Sequence, residues 1–195
     1  MAKNATSKEI SLHKLHKIIA KRLAKQIPES CKLLVDYACG GSQRLPLFLD
    51  KPKSRKTTCC NVDMLVLQNH TIRVIIEIEE TDIKPTQVCG KFLTSVLGLY
   101  FIHKCCDTHI VEKSSDGVLF LQVVYTPNRG MKSVKYKQLN LIENRIQKIL
   151  PLNRVTHYKL LQVKSKDNHY RISTAVNCVK NYCANKMFAD PSPQS

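Results

Sequence analysis

The 195-residue sequence has no tryptophan and no apolar run near the roughly 20 residues that a membrane-spanning helix needs. Its first ten residues, MAKNATSKEI, lack the apolar segment of a secretory signal peptide. It also lacks a P-loop and a GxGxxG stretch, which argues against a nucleotide-driven motor and a dinucleotide-dependent enzyme. We therefore expect a cytoplasmic protein that does not insert into membranes.

Cysteine is plentiful, but its spacing does not indicate a disulfide framework. The nine cysteines form no CxxC pair, and an odd count without a secretion signal argues for reduced thiols. One zinc candidate remains, the group His103, Cys105, Cys106 and His109, although structural zinc sites usually have a more regular spacing. We expect the thiols to be core or surface groups.

Acidic residues are scarce at both ends of the chain and concentrated in its centre. The net charge is +16, which indicates a polyanionic partner such as nucleic acid. Residues 1–60 carry 13 Lys/Arg and 4 Asp/Glu, residues 61–120 carry 5 and 8, and residues 121–195 carry 13 and 3. Basic flanks around an acidic centre are expected if the flanks hold phosphates and the centre holds a metal ion.

The stretch from Asn61 to Glu80 places acids on otherwise apolar strands. Residues 62–67 and 72–79 are apolar, β-branched runs separated by a polar triplet, a pattern that predicts a β-hairpin. Because side chains alternate between the two faces of a strand, Glu77 and Glu79 are expected to point the same way. The sequence therefore predicts paired carboxylates at the end of the second strand.

A metal ion would explain why Asp63, Glu77 and Glu79 lie on such strands. Like charges at half-buried positions repel one another and are costly to desolvate unless a cation neutralises them. Mg²⁺ suits this role, because one or two carboxylates typically hold it. The alternative is a solvent-facing surface at a sheet edge. We favour the metal because acids are rarely buried in strands.

These acids resemble the motif of the PD-(D/E)xK nuclease superfamily, an acid on one strand and acid-x-Lys on its neighbour. Asp63 corresponds to the first acid, and Glu77-x-Glu79 corresponds to the second part. Two positions depart from the motif: Glu79 stands where the family has lysine, and Val62 precedes the first acid where the family has proline. A minority of type II restriction enzymes carry Glu-x-Glu here. As an order of elements, the resemblance extends over residues 10–165.

The resemblance implies a restriction-endonuclease-like fold, a three-layer α/β core with a central mixed β-sheet flanked by helices. It further implies a metal-dependent deoxyribonuclease that hydrolyses phosphodiester bonds with Mg²⁺, or with Mn²⁺ as a substitute. Most like a type II restriction enzyme, it would act as a homodimer on double-stranded DNA. Residues 1–188 are predicted to form this single domain, and residues 189–195 a disordered tail.

Roles for the acids follow from the same resemblance. Asp63 and Glu77 would ligate the metal, and Glu79 would activate or orient the attacking water. Lysines on helices replace the motif lysine in some nucleases of this type, and the helix predicted after the hairpin offers Lys91 as a catalytic candidate. Lys84, just before that helix, is a comparable candidate.

Basic loops supply the candidates for DNA contacts. The Pro-containing loop predicted at 43–58 leads into the hairpin and is rich in lysine and arginine. A second loop follows the apolar strand predicted at 118–125, at the kind of strand end where α/β sheets usually bind ligands. The first loop is equally consistent with an ordinary surface loop. The candidates for DNA contacts are Lys53, Arg55, Lys84 and Arg129.

Apolar periodicity and turn signals predict the remaining elements. The predicted helices span residues 8–27, 85–103, 133–150 and 172–188, and further strands span residues 32–37 and 156–163. Two other functions stay open at this point. A repair or recombination nuclease, such as a junction resolvase, would share the site and differ in substrate. A non-catalytic nucleic-acid-binding module would have kept the fold and lost the chemistry, as glutamate at position 79 suggests.

Overall fold

The computed structural model of the chain describes residues 13–81, 83–102, 109–127 and 133–184. Within these residues the chain forms strands and helices that alternate in the manner of an α/β protein. The strands are β1 (Cys31–Val35), β2 (Leu45–Phe48), β3 (Thr58–Val62), β4 (Met64–Gln68), β5 (Thr71–Glu79), β6 (Tyr100–Ile102), β7 (Ile110–Glu112), β8 (Val118–Tyr125) and β9 (Val155–Val163). The helices are α1 (Lys14–Gln26), α2 (Pro85–Leu97), α3 (Val134–Ile149) and α4 (His169–Cys183).

A five-stranded mixed sheet, in the order β1-β4-β5-β8-β9, forms the centre of the fold. Neighbouring strands from β1 to β5 pair antiparallel, whereas β5, β8 and β9 run parallel. The interior position of β8 follows from its continuous apolar sequence, VLFLQVVY, which suits a strand covered on both faces. A second, antiparallel sheet has the order β3-β2-β6-β7. The predicted α/β class with a central mixed sheet is confirmed.

Helices cover both faces of the five-stranded sheet. On one face, Leu15 and Ile19 of α1 share a core with Val176 of α4. On the other face, Phe92 of α2 and Leu139 of α3 share a core with the smaller sheet. The predicted flanking of the sheet by helices is therefore confirmed. In the described ranges, no helix combines the length and the apolar character that crossing a membrane requires.

The predicted hairpin is confirmed as β4 and β5. Its turn residues, Asn69 and His70, have φ angles of 50° and 59°, the left-handed conformation of a two-residue turn that matches the twist of paired strands. The antiparallel register pairs Met64 with Ile76. This pairing brings Asp63, the residue just before β4, beside the end of β5, which carries Glu77 and Glu79.

Two predictions about the elements around the hairpin are wrong. The segment 43–58, expected to be a loop, contains β2 and the start of β3. The helix expected to reach His103 ends at Leu97, and β6 follows. Gly98 ends this helix against β2, where an added Cβ would lie 2.7 Å from the Cβ of Leu47. The close approach of the smaller sheet therefore ends the helix earlier than its apolar sequence indicates.

Other predicted boundaries differ by a few residues or cannot be compared. The strands at 32–37 and 156–163 correspond to β1 and β9, and the helix at 133–150 corresponds to α3. The helix at 172–188 corresponds to α4, which begins earlier, at His169, and ends at Cys183. The start of the first helix and the tail at 189–195 lie outside the described residues.

The fully buried amine of Lys113 is hydrogen-bonded to the end of α2. Its Nζ donates a hydrogen bond to the carbonyl oxygen of Val96 at 2.6 Å, and the side chain of Asn153 donates to the same oxygen at 2.6 Å. The last carbonyl groups of a helix have no partner within the helix, so these two donors satisfy one of them. Burial lowers the pKa of Lys113 to about 7.

This lowered pKa predicts a pH-dependent stability. The unfolded chain keeps the Lys113 proton up to a pKa near 10.4, whereas the folded chain releases it near 7. Stability therefore rises with pH in this window, by up to about 1.4 kcal/mol per pH unit. Relative to Lys113→Met, the native protein is expected to gain free energy of unfolding from about pH 7 to about pH 9. Urea denaturation of both proteins under reducing conditions measures the free energy of unfolding across this pH range. Parallel pH profiles for the two proteins would contradict the prediction.

Candidate active site

Asp63 lies in the bend between β3 and β4, where two hydrogen bonds fix it beside the end of β5. Its Oδ2 accepts a hydrogen bond from the backbone N–H of Ile78 at 2.6 Å. Its carbonyl oxygen accepts another from the backbone N–H of Asp36 at 2.9 Å. The carboxylate is therefore held against the strand that carries the other two predicted acids.

Glu77 and Glu79 point to the same face of β5, as their spacing predicts. Ile76 and Ile78 belong to the core on the opposite face. Glu77 is only 2% exposed. Burial and the nearby charge of Asp63 raise its pKa to about 8, although Lys91 opposes this shift. Glu77 is thus a buried carboxyl group that a second cation would help to ionise.

Lys91 reaches this pair of acids from helix α2. Its Nζ lies 3.1 Å from Oε2 of Glu77 and also contacts Oε1 of Glu79. Burial alone would lower the pKa of Lys91, but the charge of Glu77 and the hydrogen bond to Glu79 raise it above its usual range. Lys91 is therefore charged at neutral pH. The structure brings together Asp63, Glu77, Glu79 and Lys91.

Lys84 and the other described basic candidates lie on the segments that precede α2 and β3. Lys84 is exposed at the start of α2, where its backbone N–H donates to Oε1 of Gln87. Lys53 and Arg55 lie between β2 and β3, before the start of β3, whereas Asp63 follows its end. The expectation that this loop lies beside the acids stays a prediction, as does its role in DNA contacts.

Two of the sequence candidates fall outside the described residues. Arg129 lies in the segment 128–132, and three of the four possible zinc ligands lie in the segment 103–108. The predicted DNA contact of Arg129 and the zinc alternative therefore stay predictions.

His16 of α1 joins the site although its sequence context gave no such indication. Its Nε2 lies 3.4 Å from Oδ2 of Asp63, and its Nδ1 lies 2.7 Å from Oε1 of Glu80. Burial alone would lower the pKa of His16, but the hydrogen bonds to Asp63 and Glu80 raise it to about 9. Burial alone would raise the pKa of Glu80, but hydrogen bonds from His16 and Lys166 lower it to about 2. These groups form a charged network beside Asp63.

A row of buried polar side chains continues the site across the sheet. Gln122 of β8 pairs in register with Glu77, and its Oε1 accepts a hydrogen bond from Tyr158 at 2.9 Å. Within the described residues, three buried atoms of this region have no hydrogen-bond partner: Nε2 of Gln122, Oγ1 of Thr126 and Oε1 of Gln162. A glutamine inside an apolar strand, as in VLFLQVVY, is the one sequence signal for this row.

The donor set of this site fits a hard divalent cation. Asp63 and Glu77 offer carboxylate oxygens from adjacent strand ends, and Mg²⁺ is typically held by one or two such groups. Burial, and then the nearby charge of Asp63, raise the pKa of the Glu77 carboxyl, so a further cation beside it would favour its ionised form. A bound metal ion would be such a cation.

Comparisons of the chain with known protein families, with curated proteins and with solved structures find no match.

Proposed function

We propose that this protein is a Mg²⁺-dependent DNA endonuclease that hydrolyses phosphodiester bonds, most like a type II restriction enzyme. The observation that carries this proposal is the position of Lys91. Its ammonium group lies against Glu77 and Glu79, beside Asp63. A lysine from α2 thus takes the place near the acids that the resemblance gives to a lysine on the strand.

The fold supports the same proposal. Apart from β1 and the smaller sheet, the elements from α1 to β9 follow one another as helix, hairpin, helix, strand, helix and strand, namely α1, β4–β5, α2, β8, α3 and β9. This is the order that the resemblance implies. The smaller sheet is inserted between β1 and β4 and again after α2. Asp63 precedes β4, and Glu77 and Glu79 lie at the end of its neighbour β5, which fits the arrangement that the resemblance implies.

Each residue of the site has a role in hydrolysis. Asp63 and Glu77 would hold the Mg²⁺, which when bound polarises the scissile phosphate and lowers the pKa of a water molecule. Lys91, whose pKa is raised by Glu77 and Glu79 despite its burial, would donate a hydrogen bond to a phosphate or water oxygen. Glu79 has a side chain that is 16% exposed, so water can reach it. It is the acid that would orient or accept a proton from the attacking water.

Double-stranded DNA is the proposed substrate, and a homodimer is the proposed active form. The net charge of +16 supports a polyanionic partner. The resemblance and the two-fold symmetry of duplex DNA support a dimer. The loop with Lys53 and Arg55 would contact the DNA backbone.

Incubation with supercoiled plasmid tests this proposal. We expect Mg²⁺ to support cleavage into discrete bands, Mn²⁺ to substitute, and EDTA to abolish it. Single-stranded DNA and a four-way junction are incubated in parallel, since preferential cleavage of the junction would indicate a recombination nuclease instead. DNA that is retarded on the gel but stays intact with both metals would overturn the proposal in favour of a binding module.

A further inference from the structure

His13, His16 and Glu80 form a compact group of metal-ligating side chains next to the candidate active site. One ring nitrogen of each histidine and one carboxylate oxygen of Glu80 all lie within 4.8 Å of one another. Among the described residues, this is the one group of three or more His, Cys, Asp or Glu side chains that meets this criterion. The sequence spacing His-x-x-His puts both rings on the same side of the first turn of α1.

His13 has features that its role at the start of a helix does not explain. Its Nδ1 is buried and has no hydrogen-bond partner. Its backbone has a φ of 64°, a left-handed conformation that is uncommon for residues other than glycine. Its side chain makes no capping hydrogen bond. The ring instead packs edge-on against that of His16, with 5.1 Å between the centroids. In the tautomer that carries its proton on Nε2, the buried Nδ1 has a lone pair available to a ligand.

We propose that His13, His16 and Glu80 bind a divalent transition-metal ion. Two imidazole nitrogens and one carboxylate oxygen suit Mn²⁺, Fe²⁺, Co²⁺ or Zn²⁺ and are a poor set for Mg²⁺, which prefers oxygen ligands. The ion would lie at Oε1 of Glu80, which faces His16 Nδ1 at 2.7 Å. The other oxygen, Oε2, would keep its contact with Lys166 at 2.5 Å.

Such an ion would join the start of α1 to the end of β5. In the absence of the ion, the carboxylate of Glu80 already accepts a hydrogen bond from the backbone N–H of His16 at 3.0 Å. Metal binding would displace the proton between His16 Nδ1 and Glu80 Oε1, so that bonds from the metal to the two rings replace this hydrogen bond. Because Nε2 of His16 also faces Asp63, the ion would fix the neighbour of a proposed Mg²⁺ ligand. This site does not depend on the proposed nuclease activity, so either proposal can fail without the other.

Cobalt binding tests this inference, because Co²⁺ held by nitrogen and oxygen ligands has visible d–d absorption bands and Mg²⁺ has none. The full chain is titrated with Co²⁺ while excess Mg²⁺ occupies oxygen sites. We expect one equivalent to bind with a d–d spectrum. The variant His13→Phe keeps an aromatic ring against His16 and removes both ring nitrogens, so it should fold and bind Co²⁺ at least about tenfold more weakly.

His70→Phe is the matched control, since His70 also has a left-handed backbone conformation but is exposed at the β4–β5 turn. It should bind Co²⁺ as the native protein does. Glu80→Gln is a second test variant, with circular dichroism to verify its helices. Equal Co²⁺ affinity in His13→Phe and the native protein would overturn the proposal. Intense thiolate-to-cobalt bands would also overturn it, because they would mean that cysteines bind the metal.

Discussion

Replacing Glu77 by glutamine is expected to reduce Mg²⁺-dependent DNA cleavage by at least about a thousandfold. Glutamine has nearly the same shape as glutamate but offers a neutral amide in place of the carboxylate. Because Glu77 is buried and its carboxyl has a raised pKa, the neutral side chain fits its surroundings. The loss should therefore appear in the rate and in Mg²⁺ binding, measured by a plasmid time course and by calorimetry, while the melting temperature is retained.

Glu112→Gln is the matched control for this substitution. Glu112 is a carboxylate of β7 whose partners are Lys51 and Arg154, and none of these residues belongs to the site. This variant should cleave at the native rate. Native cleavage by Glu77→Gln would mean that the buried carboxylate has no part in hydrolysis.

Replacing Lys91 by methionine is expected to reduce the cleavage rate by about a hundredfold to a thousandfold, as the loss of one charged donor at a reacting centre typically does. Methionine keeps most of the length and apolar stem of lysine but cannot donate a hydrogen bond. The variant should still bind DNA, because the net charge of +16 falls by only one. Single-turnover cleavage at saturating enzyme separates this chemical step from binding.

A charge exchange between Glu79 and Lys91 tests whether the lysine can act from either element. In the double variant Glu79→Lys, Lys91→Glu, the strand carries the lysine at the motif position, and the helix carries its acidic partner. We expect this variant to recover at least about tenfold of the activity lost in Lys91→Met. Native activity in Lys91→Met would identify Lys91 as a counter-ion of Glu79 that takes no part in catalysis. If Lys91→Met loses activity, no recovery in the double variant would mean that the lysine cannot act from the strand.

The hairpin and its acids could be predicted from the sequence because their signals are local. The alternation of apolar residues and the turn triplet specify β4 and β5, and a period of two places Glu77 and Glu79 on one face. Pro85 indicated the start of α2, and Lys91 follows less than two turns later. These neighbours in sequence are also neighbours in space.

The smaller sheet could not be predicted in the same way. Strands β6 and β7 have three residues each, too few for a periodic pattern to emerge. Strand β2 contains Pro46 and leads into a basic loop, features that are typical of irregular segments. Its formation depends on partners distant in sequence, such as Phe101, which pairs with Leu47. Tertiary contacts therefore override the local signal.

The part of the site that involves α1 was missed for a related reason. A histidine on an amphipathic helix with many lysines resembles an ordinary surface residue. His16 gains its partners only when β5 brings Glu80, 64 residues later in the chain, against the first turn of the helix. Likewise, Nε2 of Gln122, which has no hydrogen-bond partner among the described residues, becomes buried only once α2 and α3 cover β8. Such pairings arise from topology, which a single sequence does not specify.

The anchoring of α2 by Lys113 and Asn153 has a consequence for the geometry of catalysis. Val96, which receives both hydrogen bonds, lies five residues beyond Lys91, or about 7.5 Å along the helix axis. The helix is thus held at its C-terminal end by two hydrogen bonds and carries the ammonium group near its middle. A displacement of about 1 Å in a reacting group can cost a hundredfold in rate. Under the proposed function, the precision of the reaction therefore depends partly on two side chains that do not belong to the group of acids and Lys91.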